Sequence, residues 1–185
     1  MTQTSLRPST RGVALGILAM AVVVTASNIL VQYPLNDWIT WGAFTYPIAF
    51  LVTDMANRAL GPAQARRVVY AGFALAVVLS ILLADPRIAL ASGTAFLVAQ
   101  LLDVSIFDRL RKSAWWQAPL ASSTLGSVTD TALFFSLAFA GTGLPWVTWA
   151  VGDLGVKLAM ALVLLIPFRA LMAFVPALHT RESGA

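Results

Sequence analysis

Apolar residues fill this chain in six long runs, over 12–33, 41–59, 67–84, 88–107, 118–140 and 146–174. A hydrocarbon core of about 30 Å needs roughly 20 residues of α-helix, and each run is of that order. Turn-forming residues separate them: Pro34-Leu35-Asn36-Asp37, Gly61-Pro62, Asp85-Pro86, and Gly141-Thr142-Gly143-Leu144-Pro145. The pattern predicts an all-α integral membrane protein of six transmembrane helices. It forms a single domain over 12–174, with a cytoplasmic N-terminal segment 1–11 and a cytoplasmic tail 175–185. The second run holds Pro47 and Asp54, so a broken helix is expected there, a form tolerated where it lines a cavity. Pro167 is expected to bend the sixth helix near its end.

Composition reinforces the pattern. Hydrophobic residues make up 59% of the chain and charged ones only 11%, against about 25% charged in soluble domains. The mean hydropathy is +0.82. No small-residue cleavage site follows the first run, which therefore reads as a retained helix and not a signal peptide.

The net charge of +4 changes meaning once the charges are placed. Arg7 and Arg11 precede the first run, and Arg58, Arg66 and Arg67 lie around the break after the second. Arg109, Arg111 and Lys112 follow the fourth, and Arg169 and Arg181 close the chain. The opposite connections hold only Arg87. This asymmetry obeys the positive-inside rule with both termini cytoplasmic, and it leaves no nucleic-acid footprint to explain. Tyr33, Trp38, Trp41, Trp115, Trp116, Trp146 and Trp149 sit near the run ends, as an interfacial belt does. Gly12 and Gly16 fit the small-xxx-small spacing, a weak signal for a homodimer.

Polar residues at membrane depth need a reason, because charges there are costly. The fourth run carries Ser92, Phe96, Gln100, Asp103 and Phe107, spaced 4, 4, 3 and 4, one helical face. The fifth carries Ser123, Ser127, Asp130 and Phe134 at 4, 3 and 4. The first adds Ser27, Asn28 and Gln32, the second Tyr46 and Asp54, and the sixth the i,i+4 pair Asp153 and Lys157. Gln100, Asp130 and Lys157 fall roughly 16–18 Å into their runs, near the midplane. Asn28 lies toward the outer side, and Asp54 and Asp103 toward the cytoplasm. A polar column of this kind suits the path of a small polar solute. Individually, the serines suit backbone bonding or packing, and Asp54 and Asp103 suit pairing with Arg58 and Arg109. Asp153 and Lys157 suit a structural ion pair. Asp130 has no basic residue in its own run.

Other chemistries are poorly served. There is no cysteine, and the only histidine, His179, lies in the tail, so no metal site or metal cofactor is expected. Zinc-protease, nucleophile-elbow and Walker patterns are absent. A Ser/Lys dyad with Lys157 as base is conceivable, but the spacing singles out no serine.

The residues also resemble a known family. Ser27-Asn28-Ile29-Leu30-Val31-Gln32, Thr40-Trp41-Gly42-Ala43-Phe44, Tyr46-Pro47, Thr53-Asp54 and Gly61-Pro62 are similar to the vitamin uptake transporter family, in particular its queuosine precursor transporters. Gln100-Leu101-Leu102-Asp103, Arg109-Leu110-Arg111, Trp115-Trp116, Ser122-Ser123-Thr124 and Ser127-Val128-Thr129-Asp130-Thr131 continue the resemblance, which runs from about Asn28 to Pro167. It implies a six-helix fold similar to the substrate-binding subunits of energy-coupling-factor transporters. It also implies import of the 7-deazaguanine bases preQ0 and preQ1 across the bacterial inner membrane, with no catalysis. Under that reading Asn28, Tyr46, Asp54, Phe96, Gln100, Asp103, Ser127, Asp130, Phe134 and Lys157 bind substrate, and Asp153 is structural or coupling. Asp130 or Asp103 would accept from the base edge, Gln100 and Asn28 would answer its remaining groups, and Phe96, Phe134 or Tyr46 would stack. The alternatives are a binding subunit for another base or vitamin that needs a separate energising module, and a membrane scaffold with structural polar pairs.

Overall fold

The computed structural model describes residues 10–30, 33, 35–36, 38–39, 41–83 and 86–175. The Asn28 side chain and Gln32 lie outside the described residues. The elements are all helical: α1 Thr10–Leu30, α2 Gly42–Thr45, α3 Ile48–Leu60, α4 Pro62–Leu83, α5 Pro86–Leu110, α6 Gln117–Phe139, α7 Trp146–Val163 and α8 Leu165–Met172.

Prolines and one glycine explain the punctuation. Proline has no N–H, and its ring crowds the carbonyl four residues back, so it stops a helix. Pro47 accordingly parts α2 from α3, with Tyr46 closing the short helix by bonding its N–H to the Gly42 carbonyl at 2.9 Å. Pro167 acts the same way at a distance, and the last run divides at Leu164 into α7 and α8. A bend expected near Pro167 thus becomes a break one turn earlier. Gly61 ends α3 at φ 84°, a conformation that favours glycine, and its N–H reaches the Asn57 carbonyl at 3.0 Å. Pro62 then opens α4 at a first helical position, where no N–H is needed. α4 starts five residues before the apolar run it carries, so Arg66 and Arg67 ride on helix rather than loop.

The packing places polar groups inside and apolar groups outside. Large apolar side chains including Leu15, Leu18, Val22, Leu82, Leu90, Val151, Leu162 and Ile166 are exposed. Thr53, Asp54, Asn57, Gln100, Asp103, Ser122, Asp130 and Lys157 are buried. That is the inverse of a water-soluble domain and fits a hydrocarbon solvent. Among the described residues, three segments are long and apolar enough to cross a membrane by themselves: Thr10–Ser27, Pro86–Leu110 and Trp146–Met172. The polar load of α6 and the break at Pro47 weaken the same signal elsewhere.

Two apolar clusters frame the interior. Met20, Val24, Ala49, Ala56, Ala65, Val68, Val69, Phe96 and Val104 join α1, α3, α4 and α5. Phe107, Ala118 and Phe168 join α5, α6 and α8 at one end. α5 and α6 are the most extensively packed pair. Close approach of α3 to α6 depends on Gly126, where a Cβ would stand 2.6 Å from the Phe50 ring. Gly12 and Gly16 face Leu60 and Val68 of the same chain, so this pair is spent on internal packing of α1.

Candidate functional site

A file of polar side chains runs between α3, α5, α6 and α7, in three layers. At one end Asp130 of α6 takes a hydrogen bond from the Tyr46 hydroxyl on Oδ1, 3.0 Å, and one from Lys157 Nζ on Oδ2, 2.8 Å. Lys157 Nζ also lies 2.5 Å from Asp153 Oδ2 and donates to Thr131 Oγ1 at 3.2 Å. Thr131 in turn donates to Asp153 Oδ2 at 2.8 Å. The ammonium sits 5.4 Å from the centroid of the Tyr46 ring. A lysine ammonium has three N–H donors, and three oxygens take them. Lys157 thereby ties α7 to α6 through Asp130 and Thr131. Asp130 found its cation on a neighbouring helix, where no reading of its own run could place it.

The middle layer is less complete. Thr53 Oγ1 donates to Gln100 Oε1 at 2.6 Å, joining α3 to α5. The other half of that amide, Gln100 Nε2, is buried without a partner, as are Ser127 Oγ on α6 and Ser27 Oγ on α1. Phe96, one turn from Gln100 on α5, is buried and meets the Tyr46 ring edge-on with centroids 6.3 Å apart.

The third layer holds two carboxylates. Asp54 accepts from Ser122 on Oδ1 at 3.0 Å and from Ser123 on Oδ2 at 3.4 Å. Asp103 lies beside Asp54 and Ser122; the Ser122 hydroxyl is 3.0 Å from Asp54 Oδ1, and no basic side chain reaches either Asp103 oxygen. The arginines expected to neutralise this pair do not do so. Among the described residues no ion pair joins Arg58 or Arg109 to Asp54 or Asp103; Arg111 bonds the Asn57 side-chain oxygen and pairs with Asp108 at 2.9 Å. Asn57 donates to the Val104 carbonyl at 2.8 Å, capping the file at this end.

Buried polar groups in proteins are nearly always hydrogen-bonded, because desolvation without a partner costs roughly 1–3 kcal/mol. Here the exceptions cluster. Gln100 and Asp103, three residues apart on one face of α5, bring an unpartnered amide nitrogen beside a carboxyl group that has only Asp54 and Ser122 as neighbours. Of the sequence-derived set, Tyr46, Asp130, Lys157 and Asp153 form one network, and Gln100, Asp103, Asp54, Ser127 and Phe96 line the file beside it. Phe134 stands apart: it joins an aromatic group with Phe135 and Phe139, centroids 5.2 and 6.0 Å away. Thr53, Thr131 and Ser122 are contributors that stripe counting passed over. Thr131 is one residue off the Asp130 face, and Thr53 looked like an ordinary hydroxyl next to Asp54.

Comparison with known proteins bears on this file. The family model described as "Putative vitamin uptake transporter" matches residues 40–85 and 80–172. The chain belongs to this family. Within the vitamin uptake transporter family, the "Queuosine precursor transporter" of Escherichia coli (strain K12) is 36% identical over 175 residues, 79% of this chain and 79% of the relative. The "Probable queuosine precursor transporter" of Haemophilus influenzae (strain ATCC 51907 / DSM 11121 / KW20 / Rd) is 33% identical over 186 residues, 78% of this chain and 79% of the relative. One of the same name from Bacillus subtilis (strain 168) is 28% identical over 130 residues, 55% of this chain and 57% of the relative. No solved structure matches the chain. The vitamin uptake transporter match takes in every element of the polar file except α1, which carries Ser27.

Proposed function

We propose that this protein imports a queuosine precursor, a 7-deazaguanine base such as preQ0 or preQ1, across the bacterial inner membrane. The chain crosses the membrane six times with both termini in the cytoplasm, α2–α3 and α7–α8 each counting as one interrupted span. The fold is that of a single substrate-binding bundle like those of energy-coupling-factor transporters, and the chain moves its substrate without catalysis.

The observation that carries this reading is the unpartnered Gln100 amide nitrogen with the buried Asp103 carboxyl group three residues on along α5. The edge of a guanine-like base presents, in order, one carbonyl acceptor, the N1–H and an exocyclic amine. Gln100 Nε2 is one donor, and the two Asp103 oxygens are two adjacent acceptors. The match is one acceptor to one donor and two donors to two acceptors, in order along the edge. A carboxylate taking two N–H bonds is a strong, charge-assisted pair. Ser127 supplies a further hydroxyl, and Phe96 a flat apolar wall for the ring. Asp130 serves less well as the edge reader, since both its oxygens are already engaged. The names of the Escherichia coli and Haemophilus influenzae relatives support the same substrate class.

Proteoliposomes containing only this chain test the proposal. Labelled preQ1 should accumulate or equilibrate inside them faster than in protein-free vesicles, and excess preQ0 should compete. A protein that binds preQ1 but moves none of it would be a binding subunit awaiting an energising module. Absence of both binding and uptake would end the queuosine-precursor assignment.

A further inference from the structure

Three arginines meet at the end of the bundle where α3, α5 and α8 terminate. Arg58 stands in the last turn of α3 and Arg169 in the last turn of α8. Arg111 follows the end of α5 directly. They are close enough for the charges of Arg111 and Arg169 to act on Arg58. Among the described residues the group has one paired carboxylate, Asp108, on Arg111. Arg111 is held in place by Asn57, by the Arg58 carbonyl at 3.4 Å, and by the Phe107 ring with Cζ 5.9 Å from its centroid. Arg169 lies over the Trp115 ring at 5.1 Å. The Nε of Arg58 is buried and has no partner.

Three neighbouring guanidiniums, of which Arg111 alone is paired with a carboxylate, leave uncompensated positive charge and an unanswered donor. An anion with several oxygens, of phosphate type, answers both, because guanidinium forks match phosphate geometry. The surroundings indicate what carries the phosphate. Trp115 and Trp116 are exposed beside the cluster, as aromatic residues are at headgroup level. On and just beyond α8, Ile166, Leu171 and Phe174 are exposed apolar side chains, the last by 83%. A free phosphate uses none of that apolar surface, whereas the acyl chains of a lipid cover it. Basic pockets at the cytoplasmic ends of membrane helices are suited to acidic headgroups.

We propose that Arg58, Arg111 and Arg169 form a binding site for the phosphate of an anionic phospholipid in the cytoplasmic leaflet. This rests on the membrane placement proposed above and is independent of the substrate. The lipid ties the ends of α3, α5 and α8 together next to Asn57, the cap of the polar file.

The test uses the full chain in detergent without any base. Thermal stability and lipid retention by native mass spectrometry are followed as phosphatidylglycerol, phosphatidylcholine or inorganic phosphate is added. Phosphatidylglycerol should raise Tm and stay bound, and phosphatidylcholine should do neither. The double variant Arg58→Gln/Arg169→Gln should bind phosphatidylglycerol roughly tenfold more weakly, as expected for losing charge-assisted bonds. Arg66→Gln, an exposed position at the start of α4, should bind like the wild type. If the double variant does not fold, Arg169→Ala at its exposed position serves the same comparison. Equal phosphatidylglycerol affinity in variant and wild type, or an equal shift with inorganic phosphate, would overturn the proposal.

Discussion

Lys157 stands 2.8 Å from Asp130, 2.5 Å from Asp153 and 3.2 Å from Thr131, and it is buried. Removing its charge leaves two carboxylates in the interior without a cation. Breaking such a pair by deleting one member typically costs about 3–5 kcal/mol. Lys157→Met should therefore lower Tm sharply in detergent, whereas Lys157→Met combined with Asp130→Asn should recover part of the loss. A single variant as stable as the wild type would remove the network from the fold's support. Half of this network was legible along the chain. The i,i+4 spacing of Asp153 and Lys157 foretold their pairing, since side chains four apart share a helix face. The bond from Lys157 to Asp130 crosses from α7 to α6, and no periodicity within one helix encodes a contact between two. The same limit hid the fate of Asp54 and Asp103. Local spacing suggested Arg58 and Arg109 as partners, but among the described residues no ion pair joins them to these carboxylates, and Asp54 takes its hydrogen bonds from Ser122 and Ser123 on α6.

Pro47 is the element whose effect reaches furthest. By stopping α2 it fixes where Tyr46 leaves the helix, and Tyr46 then reaches Asp130 and the edge of Phe96. Pro47→Ala restores the missing N–H and permits α2 and α3 to join. The expected result is unchanged or higher Tm with preQ1 affinity lowered about tenfold, the equivalent of one lost polar contact. Loss of stability without loss of affinity would contradict this role. Gly126 makes the complementary case, because a side chain there meets the Phe50 ring. Gly126→Val should destabilise by about 1–3 kcal/mol, the usual cost of overpacking, in a thermal melt. The break at Pro47 and the small residue at Gly126 could both be read in the sequence. What Gly126 packs against could not, because helix pairing is decided by tertiary geometry.

For the whole molecule, the inversion of polar and apolar surfaces agrees with the run pattern, and helix limits depart from it by a few residues. Where a helix outruns its apolar stretch, hydropathy marks where it enters lipid while the helix itself continues into the polar interface, as at Pro62–Arg67 and at the end of α5. Orientation is testable directly, because the chain contains no cysteine. Single cysteines at Ser113 and Thr142, in the connections on either side of α6, should label from opposite faces in intact cells. Thr142→Cys should react with an impermeant reagent, and Ser113→Cys only after permeabilisation. The reverse pattern would invert the placement, and with it the leaflet of the arginine site.

Calorimetric binding across base analogues decides whether Gln100 and Asp103 read the edge of a guanine-like base. Wild-type protein should bind 7-deazaguanine at least about tenfold more tightly than the analogue lacking the exocyclic amine, as expected for one charge-assisted hydrogen bond. Asp103→Asn should abolish that preference, and Gln100→Ala should weaken both bases alike. If the preference survives in Asp103→Asn, the edge is read elsewhere and the site assignment on α5 is wrong.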